Sequence, residues 1–231
     1  MSINTLTLLI VLTSHQQLGD TGEKTGLWLE EFTTPYYALT DAGIDVTLAS
    51  PHGGAVPIDP RSEMPESQTS STQRLYQDKH AQRALQNTLK LSDVKADDFD
   101  GIFYPGGHGP MWDLVDNQDS IKLIEDFWRQ GKPVSAVCHG PAVLLNAKNR
   151  NGEYIINNRQ VTGFSNTEEA VVGLTEVVPF LLQDMLIARQ AQYSKAENFQ
   201  SHVVVDGMLI TGQNPSSAQE VADKLINLLT R

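Results

Sequence analysis

The hydrophobic pattern changes period along the chain, and each change marks an element. Leu6 to Thr13 is a continuous run rich in Leu, Ile and Val, as in a strand covered on both faces of a parallel sheet. Leu29, Phe32, Tyr36 and Leu39 then recur at helical spacing, predicting a helix over 27–42 that Gly43 stops. Pro35 inside that stretch is expected to kink or divide it, because its ring displaces a backbone hydrogen bond. Further strands are predicted at 45–50, 101–104, 134–137 and near Val161. Further helices are predicted at 73–91 and 119–130, from about Pro141, from Asn166, over 179–190 and over 216–230. Val203 to Val205 and Met208 to Thr211 pattern as a hairpin around Asp206-Gly207. Strands alternating with helices predict an α/β fold: a doubly wound, mostly parallel sheet with helices on both faces. Its ligand crevice is expected at the carboxyl ends of the strands.

One stretch resists the alternation. Residues 51–72 are rich in Gly, Pro, Ser and Thr and too long for an ordinary connection. With the polar helix after them they read as an insertion, 51–92, following the second strand and lying near the site. No internal repeat or shift in composition divides the 231 residues, so a single domain over 1–231 is expected.

Composition narrows the function classes. With 40% hydrophobic and 19% charged residues, the chain has the make-up of a folded globular protein. A formal net charge of −11 argues against nucleic acid as a partner, since phosphate backbones are bound by clustered Lys and Arg. The single cysteine allows no internal disulfide and no Cys-based zinc cluster, so the cytoplasm is the expected compartment. The apolar run at 6–12 is too short to span a bilayer and has no basic segment before it, so no membrane association is expected.

The candidate chemistry centres on V-S-A-V-C-H-G-P at 134–141. A buried strand stops at Cys138, Gly140 permits a tight turn, and Pro141 suits the first helical position. A cysteine on such a turn points into the crevice, and a helix N-terminus there would favour its thiolate. A lone cysteine is often only a buried structural thiol; the strand-turn-helix setting favours a nucleophile. His139, beside it, is the candidate for proton transfer, although adjacency does not establish contact. P-G-G-H-G at 105–109 also follows a strand, and such a turn can bring backbone N–H groups to a substrate oxygen. Gly106, Gly107 and His108 are therefore the candidate substrate and oxyanion contacts, though a plain tight turn explains the glycines equally well. Glu30 and Glu31 lie beside apolar Leu29 and Phe32, and one of them must turn closer to the core, where a carboxyl can stay protonated. Glu168 and Glu169 pose the same choice near another helix start. The histidines show no metal-ligand spacing, and no metal or cofactor is expected.

Five ordered motifs then combine: K-T-G-L-W-L-E-E at 24–31, P-G-G-H-G at 105–109, A-V-C-H-G-P at 136–141, V-T-G-F-S-N-T-E-E at 161–169 and T-G-Q-N-P-S-S-A at 211–218. Together they resemble the ThiJ/PfpI branch of the class I glutamine amidotransferase-like superfamily, most of all its glyoxalase III-like, heat-shock chaperone group. That resemblance implies a flavodoxin-like fold, a homodimer and a reactive cysteine at Cys138. It places the crevice glutamate on Glu31, the histidine on His139, and the acid that orients the histidine on Glu169. The activity it implies is glutathione-independent conversion of a small dicarbonyl, methylglyoxal, to lactate without a cofactor. A cysteine hydrolase acting on peptides or amides, a deglycase, and a holdase binding unfolded protein clients share the same architecture.

Overall fold

In the computed structural model, which describes residues 5–231, the chain alternates strands and helices from end to end. The first half carries β1 (Thr7–Val11), α1 (Leu29–Asp41), β2 (Asp45–Ser50), α2 (Ser70–Gln77), α3 (Lys79–Gln86), β3 (Leu89–Lys90), β4 (Gly101–Tyr104), α4 (Pro110–Asp113) and α5 (Gln118–Arg129). The second half carries β5 (Val134–Val137), β6 (Gln160–Val161), α6 (Asn166–Val171), α7 (Leu182–Ala188), β7 (Gln192–Tyr193), β8 (Val203–Asp206), β9 (Leu209–Gly212) and α8 (Ala218–Leu229).

Seven strands form one sheet in the order β3-β2-β1-β4-β5-β9-β8. Every pairing in it is parallel except the β8–β9 hairpin. The chain moves outward from β1 to β3, then returns to lay β4 on the other side of β1. That reversal opens a crevice at the carboxyl ends of the central strands. Leu8 to Val11, all of β4 and all of β5 are buried, because helices cover the sheet on both sides. Helices α1 and α8 pack together, while α5 packs on β4 and β5. Right-handed crossovers running in opposite directions from the β1/β4 reversal put α1 and α5 on opposite faces.

Several local expectations change. Helix α1 runs undivided through Pro35, since burying Leu29, Phe32 and Leu39 completely against the sheet outweighs one lost hydrogen bond. The helix expected over 73–91 is two helices. Thr69 starts α2 with a reciprocal capping box, and Asp78 ends it and caps α3 by accepting from the N–H groups of His80 and Ala81. Its last residues instead form β3, which pairs with β2, so the insertion supplies an edge strand of the main sheet. The helix expected from Pro141 is a five-residue 3-10 turn, Gly140–Leu144. The strand near Val161 leaves the main sheet and pairs with β7. Among the described residues no helix is long and apolar enough to cross a membrane.

Candidate active site

The register of β4 against β5 pairs Tyr104 with Ala136, so the chains leaving both strands emerge side by side. One carries the 105–109 turn and the other carries Cys138. The cysteine sits at φ +62°, a left-handed conformation that costs a non-glycine residue about 1–3 kcal/mol. Its backbone is pinned from both directions: its N–H donates to the Gly212 carbonyl (3.0 Å), and its own carbonyl accepts from the Phe164 N–H (2.9 Å). Gly140 makes the turn possible, because a Cβ there would lie 2.4 Å from the Tyr104 carbonyl oxygen.

Helix α1 brings Glu31 to the same point. Its side chain is fully buried; Oε2 accepts from the Gly106 N–H at 2.6 Å, Oε1 has no hydrogen-bond partner among the described residues, and the Cys138 thiol lies beside the carboxyl. Burial pushes the Glu31 carboxyl well above its usual range, against the lowering effect of its hydrogen bonds to Cys138 and Gly106. Burial likewise pushes the Cys138 thiol up, and the adjacent Glu31 adds to the shift. Two buried negative charges cannot be held this close, so the pair keeps a proton. This corrects the expectation of a thiolate favoured by a helix dipole: Cys138 is only 4% exposed, and the turn after it is too short to carry much of one. Glu30, one residue away on α1, is half-buried and makes no comparable contact.

His139 Nδ1 lies 3.5 Å from Cys138 Sγ, and its Nε2 lies 2.6 Å from Glu169 Oε2. Glu169, on α6, accepts a second ring nitrogen on its other oxygen: His108 Nε2 is 2.7 Å from Oε1. Burial works against the Glu169 charge, but His139 and His108 outweigh it and hold the carboxyl well below the usual carboxylate range. The opposite nitrogen of His108, Nδ1, is 3.4 Å from an Arg61 Nη2 that also pairs with Asp59 at 2.5 Å. Burial first, and His139 second, push His108 down to about 4.

These contacts redistribute the roles expected of 105–109. The Gly106 N–H is committed to Glu31, and both ring nitrogens of His108 are engaged, so neither is free for a substrate oxygen. The amides of Gly107 and His139 donate to no protein acceptor among the described residues and flank the cysteine. They are the donors left available to a substrate oxygen, in the arrangement of a nucleophile elbow. Gly107 itself, at φ +86°, packs against the 26–28 backbone, where a Cβ would lie 2.1 Å from the Gly26 oxygen.

A cavity of about 220 Å³ opens over Sγ, walled mainly by Trp28, Arg61, Phe164, Val172, Phe199 and Pro215. Phe199 is held at φ +60°, and its N–H donates to Glu168 Oε1. Glu168 is fully buried and also accepts from Asn214 and, through Oε2, from Ser165. It is therefore an anchor for the pocket wall, while its neighbour Glu169 faces the histidines. The S-N-T-E spacing at 165–168 is the local signal for the Ser165 contacts of a capping box, whereas the contacts to Phe199 and Asn214, 31 and 46 residues away, had none. Arg61 lies in a short 3-10 turn, Pro60–Glu63, that Asp59 caps, and Phe199 lies in an irregular segment; no periodicity or motif singled any of them out. His108, His139 and Glu169 bring three ligand-type atoms within 4.8 Å of one another. Those facing atoms are already paired by hydrogen bonds, an arrangement suited to holding and moving protons.

Comparison with known proteins places this geometry among relatives. The DJ-1/PfpI family model matches residues 25–228. Glyoxalase 3 of Candida albicans is 29% identical over 228 residues, covering 95% of this chain and 96% of that protein. The crystal structure of glyoxalase III from Candida albicans superposes with a TM-score of 0.90 at 29% identity, covering 96% of each chain. The Rapid Encystment Protein of 24 kDa from Francisella tularensis superposes with a TM-score of 0.93 at 41% identity, covering 97% of this chain and 99% of that one.

Proposed function

The chain belongs to the DJ-1/PfpI family, and from that premise we propose that it is a glutathione-independent glyoxalase converting methylglyoxal to lactate. The observation that carries this reading is the Cys138–His139–Glu169 chain beside buried Glu31, in a pocket with two free amides. Curated relatives that span nearly all of the chain are named glyoxalase 3 and glutathione-independent glyoxalase.

The chemistry follows from the contacts. Glu169 accepts the Nε2 proton of His139, which leaves the Nδ1 lone pair facing Sγ. Nδ1 takes the thiol proton as Sγ bonds to the aldehyde carbon. The carbonyl oxygen turns negative between the Gly107 and His139 amides, then takes up that proton to give a hemithioacetal. His139 next removes the hydrogen of the thiol-bearing carbon; its electron pair forms an enediol as the neighbouring carbonyl oxygen is protonated. Delivery of a proton to that neighbouring carbon, with loss of the hydroxyl proton from the first, leaves a lactoyl thioester. Water hydrolyses it to lactate and restores the thiol. One carbon is oxidised as its neighbour is reduced, so no external electron acceptor enters the balance. Glu31, kept protonated by burial, donates toward the sulfur throughout.

Purified protein should release lactate from methylglyoxal without glutathione, and Cys138→Ala should not. Release of amine or peptide products from amide substrates, with no lactate, would favour the hydrolase reading. The lone cysteine fits a cytoplasmic protein with no disulfide to maintain, and the family resemblance supports a homodimer, which sedimentation velocity checks.

A further inference from the structure

The hydrogen-bond chain does not stop at Glu169. It continues through His108 to Arg61, and Arg61 is set by Asp59, a fully buried carboxylate in the insertion. Asp59 holds the guanidinium in a fork, with Nε on Oδ1 at 3.0 Å and Nη2 on Oδ2 at 2.5 Å, and its Oδ2 also accepts from Thr25 Oγ1 at 2.9 Å. The segment carrying it is tied to the α1 approach by two backbone bonds, Leu27 N–H to Pro57 O and Asp59 N–H to Leu27 O.

The direction of each bond follows from what each group can do. A guanidinium only donates, so His108 Nδ1 must accept, and the His108 proton sits on Nε2. A carboxylate only accepts, so that proton points at Glu169 Oε1. With Oε1 satisfied by a neutral donor, Glu169 has one oxygen left, and among the described residues it bonds only His139. Were His108 to take a second proton, its cation would compete with His139 for the same carboxylate. The groups facing His108 are Glu169, the His139 ring at 4.0 Å between centroids, Arg61, and the edge of Phe164. Arg61 occupies the one lone pair through which a second proton would enter.

We propose that His108 is a positioning residue of this site, held as a neutral Nε2–H donor by Arg61, so that the 51–92 insertion reserves the charge of Glu169 for His139. The proposal rests on the glyoxalase reading only for its kinetic test.

Two measurements decide it. Histidine-selective 15N NMR of the whole protein reads the ring protons directly and needs no substrate. The His108 proton should sit on Nε2, with no second proton taken up from pH 8 to about 5. In Arg61→Met that uptake should begin at a higher pH. A proton on Nδ1 in the wild type overturns the role of His108, and an unchanged titration in Arg61→Met overturns the role of Arg61. Kinetically, His108→Leu should lower kcat about 10- to 100-fold with KM nearly unchanged. His108→Gln, whose amide can place a donor near Oε1, should recover most of that loss. A glutamine variant as poor as the leucine one, with both folded by circular dichroism, overturns the proposal, as does a leucine variant with wild-type kcat. If His108→Leu does not fold, the glutamine variant and the NMR titration carry the test. Wild-type protein inert toward methylglyoxal would defeat the glyoxalase reading while leaving the NMR result to judge the hydrogen-bond chain.

Discussion

Glu30 and Glu31 are neighbours on α1, yet the helix turns one outward and seals the other against the elbow. Only Glu31 reaches the Gly106 amide and the thiol. Replacing it with Gln keeps the shape but removes the acidic proton, so Glu31→Gln should lower kcat/KM about 100-fold or more. Glu30→Gln should stay within about twofold, as expected of a side chain away from the reacting atoms. Steady-state kinetics on the two folded variants check this, and equal losses would misplace the crevice glutamate. His108 also writes its burial into stability. Its folded value of about 4 lies below the ordinary 6.5, so the unfolded chain takes up its proton first as pH falls. The contribution of neutral His108 is therefore fully present above about pH 6.5 and is lost progressively as pH falls toward 4. Thermal midpoints measured across that window should fall less steeply in His108→Gln than in the wild type.

At the scale of elements, the site is two loops pressed backbone to backbone at the ends of β4 and β5. A Cβ on Gly106 would lie 2.7 Å from Glu31 Oε2, 2.8 Å from the His139 nitrogen and 2.9 Å from the Val137 oxygen. Two of those three atoms are backbone and cannot swing aside. Gly106→Ala should therefore push the turn off the elbow, lowering both the thermal midpoint and the turnover, the latter by about 100-fold for a displacement near 1 Å. Retained activity in a crystal structure with an unmoved Cys138 would contradict that packing. The insertion belongs to this scale too. Read from composition it was an insertion near the site; folded, it adds β3 to the sheet edge and places Arg61 in the pocket wall.

For the molecule as a whole, enzyme and holdase make separable demands. Turnover needs the thiol, whereas holding an unfolded chain needs apolar surface. Phe199 and Val172, at 38% and 39% exposure, put apolar surface at the mouth of the pocket without contributing a reacting atom. Cys138→Ala should abolish lactate production while leaving any suppression of client aggregation intact, which light scattering with a heat-denatured client would follow in parallel. His139→Ala should match it, because the two residues act as a unit. Wild-type turnover in Cys138→Ala would end the catalytic account.

Much of this protein was determined by sequence alone, wherever the information is local. The apolar run at β1, the alternation of periods, the hairpin at Asp206-Gly207 and the glycine after Cys138 each act within a few residues, and the parallel sheet and elbow follow from them. The motifs also pointed to Cys138, His139, Glu31 and Glu169 before any distance was known. What only tertiary structure decided is what depends on groups far apart in the chain. Gly106 lost its free amide to a carboxylate 75 residues away, and His108 met Glu169 across 61 residues and Arg61 across 47. The thiol was pushed up by burial that no local helix dipole could offset. Desolvation and hydrogen-bond partnership are properties of a neighbourhood, and a neighbourhood exists only after the chain has closed around it.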